Sequence, residues 1–512
     1  MDNISMSQNY SILLNNSMNK NSTIANNIMQ MQSAAFKNTY QEVKTDWVLQ
    51  RIDNFNPDDK REFKQRYMSN LEFYNNSGLA FLKLGGEKGI TKSKIGNAMN
   101  PLLILAKKYG AACFCLEHRF FGASQPFEDH SIKSYKYLTI NQALADIKNF
   151  IVHMNEVFFS GIEKPRWILF GSSYSGALAA WFREMNEDLT IAAIVSSGVV
   201  QAEVDYYDHT RNLEYVLKEE NAPCAETIRL SMKALIEKTY TADGRAELGK
   251  VFNMCEPFTE PPISKDIQFF LANVLSVFGS FIQYAGGCRI PDVSYFCNLI
   301  THGGDTDGIG IIWSAWKIYD QVFRFEECFD QSYENHLEDL SDISFVDNEF
   351  ASYRSWLWLS CTELGFFITT DNGKSIFGSS VSLDYFIDKC MDVFDVQYDA
   401  ERVRDGVRNT LRTFGGYDNY RGSNTIFATG SYDPWKSACC LNCTDITRNV
   451  YSFIIEGGSH CIDTCPVNFI NLPALDDYRI FLDEKIEIFI AESSTTNDSY
   501  NSKNNNSNNN NN

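Results

Sequence analysis

A serine flanked by small residues stands where an apolar, strand-like run becomes helix-like. In "WILFGSSYSGALAAWF", residues 167–182, Gly171 lies two before Ser173 and Ser175 two after it. A tight strand-to-helix turn leaves no room for large neighbours at these positions, and it lifts the serine hydroxyl clear of the sheet as a nucleophile elbow. Ser172 is the weaker candidate because bulky Phe170 stands two before it. The same string is also typical of an ordinary turn. Whether Ser173 is a nucleophile therefore depends on finding a base and an acid later in the chain.

A serine hydroxyl attacks a carbonyl only when a base takes its proton, and two later segments offer that base and its acid. His460 lies on a loop after the apolar run "VYSFIIEGG", and Asp433 lies in a turn after "NTIFATG". An aspartate bonded to Nδ1 of the imidazole leaves Nε2 to accept the serine proton, and the chain order Ser, Asp, His is a known one. Asp433 also precedes a proline, which is common turn chemistry. Two strand-end loops in this order favour a catalytic triad.

The negative oxygen that forms during such an attack needs two N–H donors. The amide of Tyr174, directly after the serine, is one candidate. The early segment "LGGEKG" offers Gly86 or Glu87 as the other, because glycines let a backbone approach a substrate closely. A plain turn is the alternative explanation of this segment. The triad and these donors need no metal and no cofactor, and we predict neither.

Apolar strand-like runs alternate with helix-like segments over the first part of the chain, as at 79–84, 111–116 and 166–171. This alternation predicts an α/β fold with a mostly parallel sheet and helices on both faces. Helix-like segments dominate from about 205 to 400, and strands then return. We therefore predict a core over 42–204 and 401–492, a helical insertion over 205–400, and disordered polar tails at 1–41 and 493–512.

Composition restricts the partners. The chain has 512 residues, a net charge of −20 and a pI of about 4.8, which argues against nucleic acid as a partner. No stretch reaches the ~20 apolar residues of a membrane-spanning helix, so no membrane span is predicted. The cysteines show no paired CxxC spacing of a zinc site.

Two signals about the compartment conflict. Fourteen cysteines are an even and high count, which favours disulfides and an oxidising compartment. Sequons at Asn75 and Asn442 would permit glycosylation there. Residues 1–41, however, contain no apolar run long enough for a secretory leader. A secretory route and a cytosolic enzyme with reduced thiols both stay open.

Several segments resemble, in matching order from about 46 to 485, one family of serine peptidases. That family includes lysosomal Pro-X carboxypeptidase, dipeptidyl peptidase II and thymus-specific serine protease. The similar segments are "FKQRYMSN", "LGGE", "AKKYGAACFCLEHRFFGASQPF", "FGSSYSGALAAWFR", "WLWLSCTELGFF", "FATGSYDPWKSA" and "EGGSHCIDTCP". The resemblance implies an α/β-hydrolase core with a helical cap, the triad Ser173, Asp433 and His460, and cleavage after proline in short peptides. It also implies a lysosomal or secreted location and a possible homodimer.

Whether the amino or the carboxyl end of the peptide is recognised stays open at this point. Trp435 is a candidate wall of an apolar slot for the proline ring, although core packing explains it equally well. Arg119 is a candidate for contacts with a substrate carboxylate, and Glu363 or Glu87 for contacts with an amine; each also has a structural interpretation. An esterase or lipase on the same fold and a non-catalytic hydrolase-like binding protein are the alternative functions. The complete set of Ser173, Asp433 and His460 argues against the binding protein.

Overall fold

The computed structural model describes residues 42–508 except for 288–289, 303–307, 324–326, 346–348, 372–374 and 468–469. The predicted tail at 1–41 lies outside the described residues. The predicted tail at 493–512 is described as far as Asn508, and there the last helix continues through it. A helix satisfies its own backbone hydrogen bonds within the segment.

One sheet of eight strands carries the fold, in the order β1-β2-β4-β3-β5-β6-β9-β10. Strands β1 and β2 are antiparallel, β2 is antiparallel to β4, and the remaining neighbours are parallel. A separate parallel pair is formed by β7 and β8. The strands are β1 Val43–Arg51, β2 Glu62–Asn70, β3 Leu79–Leu84, β4 Ala112–Leu116, β5 Arg166–Ser172, β6 Ala192–Ser196, β7 Glu203–Asp205, β8 Gly365–Phe367, β9 Thr425–Gly430 and β10 Val450–Ile455.

Helices cover both faces of the sheet, as the alternating pattern predicts. On one face α4 and α5 pack over the alternate residues Ala80, Leu82 and Leu84 of β3. On the other face α2 and α15 pack over Leu79 and Phe81. The helices of this core are α1 Ser93–Gly96, α2 Pro101–Tyr109, α3 Ile132–Tyr135, α4 Ile140–Val157, α5 Tyr174–Met185, α14 Ala400–Phe414 and α15 Pro473–Asn508. Strands β4, β6 and β9 are buried along their whole length because both faces are covered.

Helices between β6 and β9 form a cap with an apolar core of its own. The first cap helix, α6, is kinked at Asn221, just before Pro223. The cap helices are α6 Asp208–Thr239, α7 Ala242–Val251, α8 Ser264–Gln283, α9 Val293–His302, α10 Gly308–Phe323, α11 Tyr333–Ser341, α12 Glu349–Leu359 and α13 Leu383–Val393, and a π-helical turn, Ser360–Leu364, follows α12. The predicted insertion at 205–400 agrees with this arrangement, and its boundaries stay predictions.

Among the described helices, α8 is long and apolar enough to cross a membrane. Its apolar side chains, including Phe270, Val274 and Phe278, are buried in the cap. That burial is typical of the central helix of a helical core.

Disulfides link segments of the cap. Within the part of the chain that the structure describes, they join Cys224 to Cys297, Cys255 to Cys328 and Cys361 to Cys390, and a further disulfide joins Cys440 to Cys443 in the core. Cys113, Cys115, Cys439 and Cys461 are free thiols. The even cysteine count thus indicates disulfides correctly, whereas the sequence alone does not say which cysteines pair.

Replacing Cys224 and Cys297 together by alanine is expected to lower the free energy of unfolding of the cap by about 2–4 kcal/mol, because the bridge closes a long loop in the unfolded chain. The two cysteines are 73 residues apart, one in α6 and the other in α9. Urea unfolding measures the effect. Cys113→Ala, at a buried but unbridged thiol, is the control; equal losses in both variants would contradict the prediction.

Candidate active site

The predicted acid and base meet at one edge of the sheet. Strands β9 and β10 are parallel neighbours, so the loops at their carboxyl ends lie side by side. His460 Nδ1 lies 2.9 Å from Asp433 Oδ1 and 2.9 Å from Asp433 Oδ2. Asp433 is 0% and His460 5% exposed, and Trp435 N also donates to Asp433 Oδ1 over 2.8 Å. With Nδ1 held as a donor, Nε2 of His460 is left as the acceptor of a proton.

The buried carboxylate sets the proton affinity of the imidazole. Burial by itself would lower the pKa of His460, but the charge and hydrogen bond of Asp433, together with Cys461, outweigh burial and raise this pKa well above its usual value. Asp433 thus stabilises the imidazolium that forms when His460 takes a proton.

Ser173 occupies a strained turn between β5 and α5. Its φ of 57° and ψ of −127° are unusual for a residue with a side chain. A Cβ added at Gly171 would lie 2.0 Å from the carbonyl oxygen of Ser175, so only glycine fits there. Ser175 Oγ lies 3.0 Å from Ser172 N and 2.9 Å from Ser172 O. The Ser175 hydroxyl therefore bonds the backbone of Ser172 across the turn, at a position where a second glycine is usual.

The serine turn and the histidine loop are both anchored at the end of β6. Ser173 N donates to Ser196 O over 2.9 Å, and Cys461 N donates to Ser197 Oγ over 2.9 Å. The first bond fixes the predicted nucleophilic residue, and the second fixes the residue next to His460. One strand end thus supports both loops.

The loop after β3 lies against the first turn of α5. A Cβ built at Gly86 would be 3.7 Å from Ser175 Cβ and 3.8 Å from Ser175 N. Gly85 N donates to Leu116 O over 2.8 Å, which fixes the start of the loop. The backbone of Gly86 and Glu87 therefore lies beside the serine turn, where the second oxyanion donor is predicted.

The segment 117–119 is a buried network. Arg119 is 0% exposed, and all five of its N–H donors have acceptors: both oxygens of Asp146 and the carbonyls of Arg51, Ile52 and Tyr137. The predicted contact of Arg119 with a substrate carboxylate is therefore not supported, because no donor of its guanidinium is left for a ligand. The structural alternative accounts for Arg119.

His118 contacts Tyr174 within the same network. Its Nδ1 lies 2.7 Å from Arg119 O and its Nε2 3.1 Å from Tyr174 Oη. Burial lowers the pKa of His118 to about 4, so the ring is neutral at ordinary pH. Nδ1 then donates to the carbonyl, and Nε2 accepts from the tyrosine. This bond fixes the side chain of the residue that follows the nucleophile.

Glu363 caps a helix of the core. Its Oε2 accepts from Ile140 N over 2.7 Å at the first turn of α4. Burial raises the pKa of Glu363 to about 7, and its charge acts on Tyr174, as does that of Glu87. Glu363 thus has the structural role considered for it from the sequence while also lying near the serine turn.

The cap contributes a residue to this site, and the sequence did not reveal that contribution. The carbonyl of Gln283, at the end of α8, accepts from His460 N over 2.9 Å. Gln283 Oε1 also accepts from Trp435 Nε1 over 3.0 Å, and the Trp435 ring stacks on Tyr206 at 5.1 Å. No motif marks Gln283, because this contact joins segments far apart in the chain.

The strand order, the serine on a strained turn and the buried carboxylate–imidazole pair define an α/β-hydrolase. Residues 50–481 match the family model of serine carboxypeptidase S28, and the chain belongs to this family of serine peptidases.

Relatives from animals are similar over most of their length. The Caenorhabditis elegans protein F56F10.1, named as a serine protease, is 31% identical over 468 residues, which are 89% of this chain and 86% of that one. The thymus-specific serine protease of Homo sapiens is 27% identical, covering 84% of each chain. The lysosomal Pro-X carboxypeptidase of Homo sapiens is 25% identical, covering 86% of each. Among solved structures, Mycobacterium smegmatis proline iminopeptidase has a TM-score of 0.36 at 12% identity, covering 87% of this chain and 100% of that one.

Proposed function

We propose that the chain is a serine exopeptidase that hydrolyses peptide bonds after proline in short peptides, through the triad Ser173, Asp433 and His460. The observation that carries this proposal is the buried Asp433–His460 pair, anchored at the same strand end as the strained Ser173 turn. Family membership supports peptide hydrolysis over the esterase or lipase alternative.

In the proposed mechanism, Ser173 Oγ attacks the carbonyl carbon of the scissile bond while His460 Nε2 takes its proton. The amides of Tyr174 and of Gly86 or Glu87 donate to the negative oxygen of the tetrahedral intermediate. His460 then gives the proton to the leaving amine, and an ester to Ser173 remains. Water activated by His460 hydrolyses this ester and restores the free serine.

Aromatic side chains around His460 support the preference for proline. The ring of Tyr284 lies 6.1 Å and that of Trp435 6.5 Å from the imidazole. Flat apolar walls of this kind suit a pyrrolidine ring. The name of the Pro-X carboxypeptidase relative points to the same residue class.

Of the two exopeptidase modes, the charges favour recognition of a free amino terminus. Glu87 acts electrostatically on Tyr174 and on Tyr284, and Glu363 acts on Tyr174. Arg119, considered for a substrate carboxylate, is saturated by protein acceptors. The proposal is therefore release of dipeptides from the amino end.

Labelling with a fluorophosphonate tests the nucleophile. We expect covalent modification of Ser173 in the wild-type chain and none in Ser173→Ala, because only an activated serine reacts rapidly. Ser172→Ala checks the site of attachment: whatever its rate of labelling, the label should be found on Ser173. A folded wild-type chain that stays unlabelled would favour the non-catalytic binding protein.

Peptides blocked at one end test the direction of cleavage. A peptide with proline second, a free amine and an amidated carboxyl end should be cleaved, and acetylation of the amine should lower kcat/KM by about 30-fold or more, because a half-buried carboxylate loses its partner. Glu87→Gln should reduce this difference. Preference for the acetylated peptide with a free carboxyl end would identify a carboxypeptidase instead.

The disulfides, together with the name of the lysosomal relative, support passage through a secretory route. The sequons at Asn75 and Asn442 are both exposed, as glycosylation requires. The predicted homodimer stays a prediction.

A further inference from the structure

A lysine lies behind the serine turn, on the face of the sheet opposite α5. Residues alternate between the faces of a strand, and Leu79 and Phe81 of β3 face α2 and α15. Lys83 follows them on this face. Its Nζ donates to Ser172 Oγ over 2.5 Å, next to the nucleophile. A lysine on a strand face that is otherwise apolar calls for a partner or a role.

An aspartate on the histidine loop faces the same place. Asp463 is 9% exposed, and its Oδ1 accepts from Ser196 Oγ over 2.5 Å. The carbonyl of Ser196 accepts from Ser173 N. Lys83 therefore bonds the end of β5, which leads into the serine turn, and Asp463 bonds the end of the neighbouring strand β6.

The charges in this cluster depend on one another. The pKa of Lys83 is lowered to about 8, chiefly by burial and also by the nearby Lys94 of α1, while Cys461, Asp463 and Cys115 of β4 act to raise it. Burial raises the pKa of Asp463, whereas the Ser196 hydroxyl and the charge of Lys83 lower it. Each ion thus makes the charge of the other less costly.

We propose that Lys83 and Asp463 are positioning residues. From the face of the sheet opposite α5, they hold the serine turn and the histidine loop at a fixed distance from each other. Neither touches the substrate in this role. Lys83 fixes Ser172, and Asp463 fixes Ser196 and, through the loop, His460. The inference rests on the proposed function, since it assigns a task in the reaction of Ser173 with His460.

Kinetics of Lys83→Met, Asp463→Asn and the double variant test the proposal. Each single variant should lower kcat about 10- to 100-fold at nearly constant KM, because a small displacement of reacting groups is costly to the rate. The double variant should lose less than the product of the two single losses, because both side chains support the same strand end and their effects are not independent. The rate of fluorophosphonate labelling should change in parallel.

The pH profile provides a readout that a merely structural role would not change. Above pH about 8, where Lys83 loses its proton, wild-type kcat should fall towards the value of Lys83→Met, and the variant should lack this decline. Lys92→Met, at an exposed lysine just before α1, is the matched control and should keep wild-type kinetics.

The outcomes separate this inference from the proposed function. An active wild-type chain with unaffected single variants, or a double variant whose losses simply multiply, would overturn the positioning role alone. An inactive, unlabelled wild-type chain would overturn the proposed function and this inference with it. If Lys83→Met does not fold, Ser172→Ala removes only the acceptor of the lysine and should show the same loss of kcat.

Discussion

Asp433→Asn is expected to lower kcat about 10⁴-fold while KM changes little, because an amide no longer holds the imidazole in the right tautomer or stabilises its protonated form. The carboxylate accepts from Nδ1 of His460 with both oxygens and is fully buried, so no water replaces it. Steady-state kinetics on a proline-second peptide measure the change.

The same variant should move the acid limb of the pH profile. His460 accepts a proton only when it is neutral, so kcat/KM rises with pH through its pKa. Asp433 raises that pKa, and the wild-type limb should lie above the ordinary histidine value of about 6.5. Without the carboxylate, burial is the main remaining influence and lowers the pKa, so the limb should move to lower pH. Asp476→Asn, at an exposed aspartate of α15, is the control, and an unmoved limb in Asp433→Asn would contradict the assignment of the pair.

Gly171→Ala should have the largest effect on stability, a loss of about 4 kcal/mol or more in the free energy of unfolding. The added methyl would lie 2.0 Å from Ser175 O and 2.5 Å from Ser175 C, both of which are backbone atoms. This clash is relieved only if α5 moves away from β5, and such a movement opens the turn at Ser173. The midpoint of urea unfolding and the rate of fluorophosphonate labelling should both fall.

Gly161→Ala is the matched control, because a Cβ added there meets nothing within 4 Å. It should unfold like the wild-type chain. A Gly171→Ala variant with wild-type stability would show that the turn accommodates a side chain at this position.

Continuous apolar runs made the centre of the sheet predictable. Strands β3, β5 and β9 coincide with such runs, since strands covered on both faces bury nearly every residue. The antiparallel strands β1 and β2 carry no such signal. In β1 only Val43, Val48 and Gln50 are buried, so its polar sequence does not stand out from a loop. The serine, aspartate and histidine loops were predictable because strand ends mark them.

The sequence could not reveal how long-range contacts assign roles to polar residues. Arg119 matched a substrate contact by type, yet packing beside Asp146 in α4 saturates it. Lys83 looked like an ordinary residue of an apolar run, and its bond to Ser172 arises only when β3 lies next to β5. Such partners depend on sheet order and cap placement, which local patterns do not encode.

Gln283 accepts hydrogen bonds from both His460 and Trp435, so the helical insertion is part of the proposed catalytic apparatus. A shortened chain that keeps every strand and all three triad residues, but lacks α8, would have a base whose backbone N–H has lost its acceptor. On the proposed function, the sheet without the insertion would therefore not suffice for catalysis. Changes in the insertion that reshape substrate choice must also preserve proton transfer, which ties the evolution of specificity in this chain to that of turnover.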